Sequence, residues 1–199
     1  SHDFQISTDG SREIVYGQRK QRVRSKADPF TLDDVKPLQA KVFHLGSLLA
    51  DDFSPEVVEA LADKGTVSID AQGYLREVVG EEVRPVEWKD MSRVLRATGI
   101  LKLNESEMQT VVGSNDPYEV GKKLAACGVG EVVMTLGSYG SVIYAGGKAY
   151  DIPAYKPKKL VDATGCGDTY STGYLWCRAQ GMGIEEAGKF AAAMCSLKL

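Results

Sequence analysis

The chain has 199 residues, of which 43% are apolar and 26% are charged, and it carries a net charge of -3. This length allows one domain with a sizeable core, and the composition is ordinary for a soluble globular protein. The negative charge argues against a sequence-independent nucleic-acid binder, which needs a basic face. Because the apolar runs are short and the start is polar, we expect a cytoplasmic protein without a membrane partner.

The cysteines provide no metal-binding pattern. They show no Cys-x-x-Cys spacing and have no nearby histidine, which argues against a zinc site. Thiols in this number suit a reducing cytoplasm, although the spacing leaves pairing between them open. The four positions are Cys127, Cys166, Cys177 and Cys195.

The first residues predict a polar β-hairpin. Extended segments at Phe4 to Ser7 and Glu13 to Tyr16 flank Thr8 to Ser11, which contains an Asp-Gly pair typical of hairpin turns. Several arginines make this end basic. Its pattern favours a solvated edge, and the alternative is a lid strand whose arginines meet an anionic substrate.

From Lys41 onward, strand and helix patterns alternate, which predicts an α/β fold with a mainly parallel sheet. Strands are predicted at Val42 to Gly46, Thr66 to Asp70, Ile100 to Leu103 and Val132 to Gly137. Helices are predicted at Pro55 to Lys64, Trp88 to Ala97, Asp116 to Cys127 and Glu185 to Ser196. A hairpin through Gly146-Gly147 follows the last of these strands, and a short helix is predicted after Thr31.

The segment Asp162 to Asp168 carries the strongest chemical signal, because it places two glycines at a loop-to-helix junction. Gly165 and Gly167 let the backbone approach a ligand, and the unpaired amides of a helix start bind anions, phosphate above all. A carboxylate at Asp168 would repel phosphate. Its presence makes sense if it takes a proton from a hydroxyl that attacks the phosphate.

This segment resembles a known family signature. Asp-Ala-Thr-Gly-Cys-Gly-Asp-Thr-Tyr is similar to the Asp-Thr-x-Gly-Ala-Gly-Asp-x-Phe motif of the ribokinase-like (PfkB) sugar and nucleoside kinases. Asn104 to Glu107 resembles the family's Asn-x-x-Glu motif after a strand, and Thr135 to Gly140 resembles its Thr-Leu-Gly-x-x-Gly turn. A helix capping box is the alternative explanation for Asn104 and Glu107. The resemblance covers roughly Lys41 to Leu199.

The resemblance implies a ribokinase-like three-layer α/β/α fold, with residues 1–26 as the remnant of a β lid and residues 27–199 as the catalytic and nucleotide-binding core. It also implies transfer of the γ-phosphoryl group of ATP to a hydroxyl of a sugar or nucleoside. Asp168 would be the base, and the amides of Gly165, Cys166 and Gly167 would form the anion hole. The other implied sites are the nucleotide turn (Thr135, Gly137, Gly140), the magnesium and phosphate pair (Asn104, Glu107) and a K⁺ site (Asp162, Thr164).

One departure concerns length. We find neither the family's Gly-Gly-rich substrate motif near the N-terminus nor the closing part of the nucleotide pocket. We therefore expect a fragment that lacks most of the substrate side, and the acceptor is not specified by these residues. Lid strands in this family often pair between subunits, which makes a homodimer an expectation.

Three other functions compete with the kinase. One is a non-catalytic nucleotide-binding or assembly module that keeps the fold, and another is a phosphate-ester hydrolase with Asp168 as nucleophile. Cys166 as a nucleophile at a helix start is disfavoured, because no histidine base accompanies it in the motif.

Overall fold

The computed structural model describes residues 8–15, 18–158 and 162–199. The strands are β1 (Thr8–Val15), β2 (Gln18–Lys26), β3 (Val42–Leu45), β4 (Thr66–Asp70), β5 (Arg76–Val79), β6 (Glu82–Pro85), β7 (Ile100–Asn104), β8 (Glu131–Thr135), β9 (Ser141–Ala145) and β10 (Lys148–Ile152). The helices are α1 (Leu32–Val35), α2 (Pro55–Ala62), α3 (Ala71–Tyr74), α4 (Met91–Arg96), α5 (Glu105–Val112), α6 (Pro117–Ala126), α7 (Cys166–Ala179) and α8 (Ile184–Lys198).

A six-stranded sheet forms the centre of the core, in the order β10-β9-β8-β7-β4-β3. The strands β3, β4, β7 and β8 are parallel, whereas β9 and β10 add an antiparallel hairpin at one side. The parallel strands are connected through helices, as parallel pairing requires. The prediction of a mainly parallel sheet is confirmed.

Helices cover both faces of this sheet. Buried side chains of α1, α2, α4, α5 and α6 pack in one apolar cluster, which includes Leu101 and Leu103 of β7. Buried side chains of α7 and α8 pack in a second cluster, which includes Ile100 of β7. Because successive residues of a strand point to opposite faces, these clusters lie on opposite sides of the sheet. The predicted three-layer α/β/α architecture is confirmed, and none of the helices in the described ranges could cross a bilayer.

The main helices begin where their sequences predict. The side chain of Ser54 accepts a hydrogen bond from the Val57 amide, and Pro55 occupies the first turn of α2. Asp116 caps α6 in a similar way through the Tyr118 amide. The short helix α1 begins after Thr31, whose side chain forms a capping box with Asp34.

A second, four-stranded sheet has the order β1-β2-β6-β5. Its hairpin of β5 and β6 joins β2 through the pairing of Arg22 with Glu82. This hairpin was not predicted from the sequence, and it makes the sheet larger than the lid expected from residues 1–26.

The predicted turn at Thr8 to Ser11 is wrong. These residues lie inside β1, where Thr8 pairs with Lys26 and Ser11 with Arg22. Val15 at the end of β1 pairs with Gln18 at the start of β2, and Phe4 to Ser7 lie outside the described residues. The pairing register of β1 with β2 shifts between Asp9 and Gly10. A glycine within a strand often marks such a β-bulge, so the Asp-Gly pair fits this position as well as it fits a turn.

The helix predicted from Trp88 begins later, at Met91. Asp90, before its first turn, has a left-handed backbone with φ of 53°, which interrupts a helical path. Trp88 is buried and stacks on Tyr74, with ring centroids 4.6 Å apart. Contrary to the prediction from the sequence pattern, Trp88 is therefore not part of the helix but packs its ring against Tyr74 instead.

Gly121 offers a test of the packing between α6 and the sheet. A Cβ atom there would lie 2.5 Å from Cβ of Tyr144 on β9. Alanine normally stabilises a helix interior relative to glycine, but here we expect Gly121→Ala to lower the free energy of unfolding by about 1–3 kcal/mol. Urea unfolding measures this loss. Gly183→Ala is the control, because its Cβ would meet nothing within 4 Å; equal stability of the two variants would contradict the packing.

Candidate active site

The carboxyl edge of the parallel strands gathers polar residues of β4, β7 and β8. In the sheet register, Asp70 of β4 pairs with Lys102 of β7, and Asn104 of β7 pairs with Thr135 of β8. Open α/β sheets bind ligands at this edge. The register therefore brings the Asn104 and Thr135 motifs together at this edge.

Helix α7 begins at the same edge. Gly165 precedes it with φ of 77°, a left-handed conformation that favours glycine, and its carbonyl accepts the Thr169 amide at 2.9 Å. The amide of Gly167 lies in the first turn, where amides lack an intrahelical acceptor. The amide of Cys166, another predicted anion-hole donor, donates to the carbonyl of Ala163 at 3.1 Å.

Two side-chain contacts hold the start of α7 in place. The hydroxyls of Tyr170 and Ser141 lie 2.7 Å apart in a buried hydrogen bond, which joins α7 to β9. The thiol of Cys195 on α8 donates to the carbonyl of Cys166 at 3.2 Å. The first turn of α7 is therefore fixed between the sheet and α8.

Asp168 lies in the first turn of α7 and is exposed. A Cβ atom on Gly165 would lie 3.9 Å from Oδ2 of Asp168, so its carboxylate is next to the loop that carries the glycines. This accessibility suits a group that takes a proton from an external hydroxyl. The role of Asp168 as base stays a prediction.

A buried ion pair beneath this turn was not predicted. Lys102 Nζ lies 2.6 Å from Oδ2 of Asp70, and the two side chains are only 8% and 11% exposed. Burial opposes the charge on Lys102, but the carboxylates of Asp70, Glu107 and Asp168 raise its pKa above the ordinary lysine value. The available signal was a single lysine within an otherwise apolar strand, since such a charge needs a buried partner.

Asn104 and Glu107 form a capping box at the start of α5. The Glu107 amide donates to Oδ1 of Asn104 at 3.0 Å, and the Asn104 amide donates to Oε2 of Glu107 at 2.8 Å. Oε1 of Glu107 accepts the side-chain amide of Asn104 at 2.6 Å. The capping alternative is confirmed, while a role in holding magnesium stays a prediction.

The capping box still leaves oxygen lone pairs that suit magnesium through water. A carboxylate accepts more hydrogen bonds than the Asn104 donors provide to Glu107. Magnesium usually retains several waters and binds one or two carboxylates together with substrate phosphates. The described residues contain no cluster of three or more His, Cys, Asp or Glu side chains that could hold a metal. The Glu107 carboxylate, with lone pairs left for water, fits a magnesium ion that is brought with phosphate.

The predicted nucleotide turn is a tight 3₁₀ turn over Gly137–Tyr139. Gly140 follows it with φ of 95°, and a Cβ atom there would lie 2.1 Å from the carbonyl oxygen of Ile152. Only glycine fits this position without a clash. Thr135 donates to the Leu103 carbonyl at 3.3 Å. Contact of Thr135, Gly137 and Gly140 with a nucleotide stays a prediction.

The remaining predicted positions lie in the loop before α7. Oδ1 of Asp162 accepts the Thr164 amide at 2.9 Å, which closes a local turn, and a K⁺ site at these residues stays a prediction. Burial raises the pKa of the Cys166 thiol. A raised pKa lowers the thiolate fraction, so the geometry does not favour Cys166 as a nucleophile.

The charge of Glu107 generates a pH-dependent prediction. Burial, with the nearby charge of Asp70, raises the pKa of Glu107 above its ordinary value. The folded chain therefore binds this proton more tightly than the unfolded chain, so the charged form costs stability at neutral pH. Glu107→Gln removes that cost and can still cap the helix. We expect its free energy of unfolding at pH 7.5 to equal or exceed that of the wild type.

The advantage of Glu107→Gln should shrink as the pH falls through the raised pKa towards about 4.3, because the wild-type side chain then becomes neutral. Urea unfolding at pH 7.5 and pH 5 measures this difference. Glu107→Ala, the matched control, also removes the charge but loses the reciprocal cap, so it should be about 1 kcal/mol less stable than Glu107→Gln at both pH values. A Gln variant that is less stable than the wild type only at neutral pH would contradict the sign of the pKa shift.

Comparison with known proteins assigns the family. The sequence profile of the pfkB family carbohydrate kinases matches residues 4–199. A nucleoside kinase from Methanocaldococcus jannaschii is 30% identical over 117 residues, which cover 59% of this chain but only 38% of that protein.

Solved structures agree with this match. A pyrophosphate-dependent kinase of the ribokinase family, complexed with a pyrophosphate analogue and myo-inositol, has a TM-score of 0.84 and 29% identity over 95% of this chain and 68% of that one. Ribokinase from Arabidopsis thaliana, complexed with ribose and ATP, has a TM-score of 0.75 and 23% identity, over 96% of this chain and 62% of that one. The latter likeness concerns the fold alone. Because the family profile matches nearly the whole chain, the chain belongs to the pfkB family of carbohydrate kinases.

Proposed function

We propose that this chain supplies the catalytic and donor-binding part of a phosphotransferase that acts on a hydroxyl of a sugar or nucleoside. The observation that carries the proposal is the contact of the first turn of α7, which holds Asp168, with the carboxyl edge of β4 and β7, where a Cβ on Gly167 would lie 3.1 Å from Nζ of Lys102. Family membership supports it, since the relatives include nucleoside and ribose kinases.

In this proposal Asp168 accepts the proton of the attacking hydroxyl, so that the oxygen bonds to phosphorus while the donor's bridging oxygen leaves. The first-turn amides, with that of Gly167 foremost, stabilise the charge on the transferring group. Amide donors at a helix start are fixed before the reaction, so they require no reorganisation during it. The Cys166 amide would join them by leaving the Ala163 carbonyl.

Magnesium and ATP belong to the same proposal. When bound, magnesium would neutralise charge on the phosphate oxygens. Glu107 and Asn104 would hold its waters, in the orientation that the capping box fixes. Thr135, Gly137 and Gly140 would lie along the nucleotide, while Asp162 and Thr164 would contribute to a K⁺ site. A homodimer through the strands β1 and β2 is a further part of the proposal.

Pyrophosphate is a second candidate for the phosphoryl donor. A solved neighbour with 29% identity and a TM-score of 0.84 is described as a pyrophosphate-dependent kinase. The neighbour solved with ribose and ATP has 23% identity and a TM-score of 0.75. Both donors present a terminal phosphoryl group to an anion site, so the site residues proposed here serve either one.

The decisive experiment measures acceptor-dependent phosphoryl transfer from Mg-ATP and from Mg-pyrophosphate, across sugars, nucleosides and inositols. It should use the longest form of the protein that its gene encodes, with the 199-residue chain in parallel. Asp168→Asn should lower kcat by about 10²–10⁴-fold while donor binding changes little, because the amide cannot accept the proton. Asp63→Asn is the matched control, since this exposed residue ends α2 at the opposite edge of the sheet.

Three other outcomes would each change this proposal. Acceptor-dependent transfer that survives in Asp168→Asn would show that another group is the base. Phosphate release without an acceptor, together with an Asp168-dependent phosphoenzyme, would establish the hydrolase. Donor binding without turnover in every form of the protein would establish a non-catalytic module.

A further inference from the structure

We propose that Lys102 contacts the transferring phosphoryl group and that Asp70 is the positioning residue that holds its ammonium beneath the first turn of α7. The inference rests on the proposed function, because it assigns two more residues to the same site. The starting observation is that Lys102, a charged residue on a strand of apolar residues, is buried.

Burial is the first observation. Lys102 is 7% exposed, while Leu101 and Leu103 beside it are fully buried apolar residues. Lysine is almost never fully buried unless it is paired, and Asp70 provides the pair at 2.6 Å. Buried ion pairs are weak evidence for stability, since apolar residues of similar volume often replace them without loss. The fold alone therefore does not explain this pair.

The position of the ammonium is the second observation. A Cβ atom on Gly167 would lie 3.1 Å from Nζ of Lys102 and 3.4 Å from its Cε. The lysine thus lies directly against the helix start that carries the proposed anion hole. A cation at a helix N-terminus is electrostatically unfavourable, because that end of the helix is itself positive. Two positive groups converge here, which is the arrangement that a polyanionic phosphate requires.

The fixation of Asp70 is the third observation. Its Oδ1 accepts the Gln72 amide at 3.2 Å as the cap of α3, while Oδ2 accepts Lys102. The carboxylate is therefore held by the backbone on one side and holds the ammonium on the other. An ammonium has three donors, so the bond to Asp70 leaves others for phosphate oxygens.

The charges around Lys102 complete the account. The carboxylates of Asp70, Glu107 and Asp168 all act on its ammonium, and His44 lies within electrostatic range of Asp70 and Lys102. Lys102 is therefore a buried cation among several carboxylates at this edge. Removing it would leave less positive charge to compensate those carboxylates when the phosphate enters.

The test measures turnover and donor binding in Lys102→Met, an apolar side chain of similar length. We expect kcat/KM for the acceptor to fall about 10²–10³-fold, as for loss of one oxyanion donor. We also expect weaker binding of inorganic pyrophosphate in calorimetry, which a purely structural lysine would not affect. Asp70→Asn should lose up to about 10²-fold in kcat through misplacement of the ammonium. Lys102→Arg should restore pyrophosphate binding more than turnover.

Two further variants distinguish loss of the phosphate contact from misfolding. The double variant Asp70→Asn with Lys102→Met removes both charges, so it leaves no unpaired buried charge, and it should fold yet bind pyrophosphate as weakly as Lys102→Met. Lys64→Met is the matched control, because Lys64 is also fixed by protein acceptors, the carbonyls of Val35, Lys36 and Leu38. It should change thermal stability without changing pyrophosphate affinity.

The outcomes separate this inference from the proposed function. Wild-type turnover with undiminished kcat/KM and pyrophosphate affinity in Lys102→Met would overturn the inference and leave the kinase intact. Pyrophosphate binding that depends on Lys102, in a protein without acceptor-dependent transfer, would uphold the inference and reject the kinase. A wild-type protein that binds neither pyrophosphate nor Mg-ATP would overturn both.

Discussion

The salt bridge between Lys102 and Asp70 is the interaction on which the geometry of the site depends. Taking two charges out of water costs several kcal/mol per ion, so each residue compensates the burial of the other. The parallel register of β4 and β7 places them opposite each other, and the backbone of α3 fixes the carboxylate. A Cβ atom at residue 167 would lie 3.1 Å from Nζ, so a larger residue there would require the ammonium to shift. One pairing thus links two strands and the turn proposed to bind phosphate.

Features that depend on neighbouring residues were predictable from the sequence, whereas features that depend on distant partners were not. Ser54 with Pro55 and the Gly146-Gly147 hairpin were predicted correctly, since each is decided within a few residues. An Asp-Gly pair is compatible with a turn and with a β-bulge. Only the pairing register of β1 with β2, which shifts between Asp9 and Gly10, shows that it is a bulge here. Lys102 and Asp70 are 32 residues apart, so their pairing required the sheet order. The sequence alone located the chemical motifs, but it did not identify Lys102 as the cation that lies among them.

Asn104 and Glu107 show that a capping role and a chemical role are compatible. The cap satisfies the amides of both residues and thereby fixes the carboxylate of Glu107 in one orientation. A carboxylate held in this way needs no reordering to accept hydrogen bonds from metal-bound water. Burial raises its pKa, which is a cost that helix capping alone does not require, since an exposed glutamate or glutamine caps equally well. The buried position therefore favours a further role for this residue.

The same electrostatics explain why Lys102 is paired with Asp70 rather than with Asp168. A cation in contact with a carboxylate favours its charged form, so it makes that carboxylate a weaker proton acceptor. Asp70 takes the 2.6 Å hydrogen bond of Lys102, while Asp168 is exposed on the outer side of the first turn of α7. The buried cation thus lies on the sheet side of the turn and the proposed base on the solvent side. A phosphoryl group bound between them would meet positive charge from beneath, while an acceptor hydroxyl could approach it from the side of Asp168.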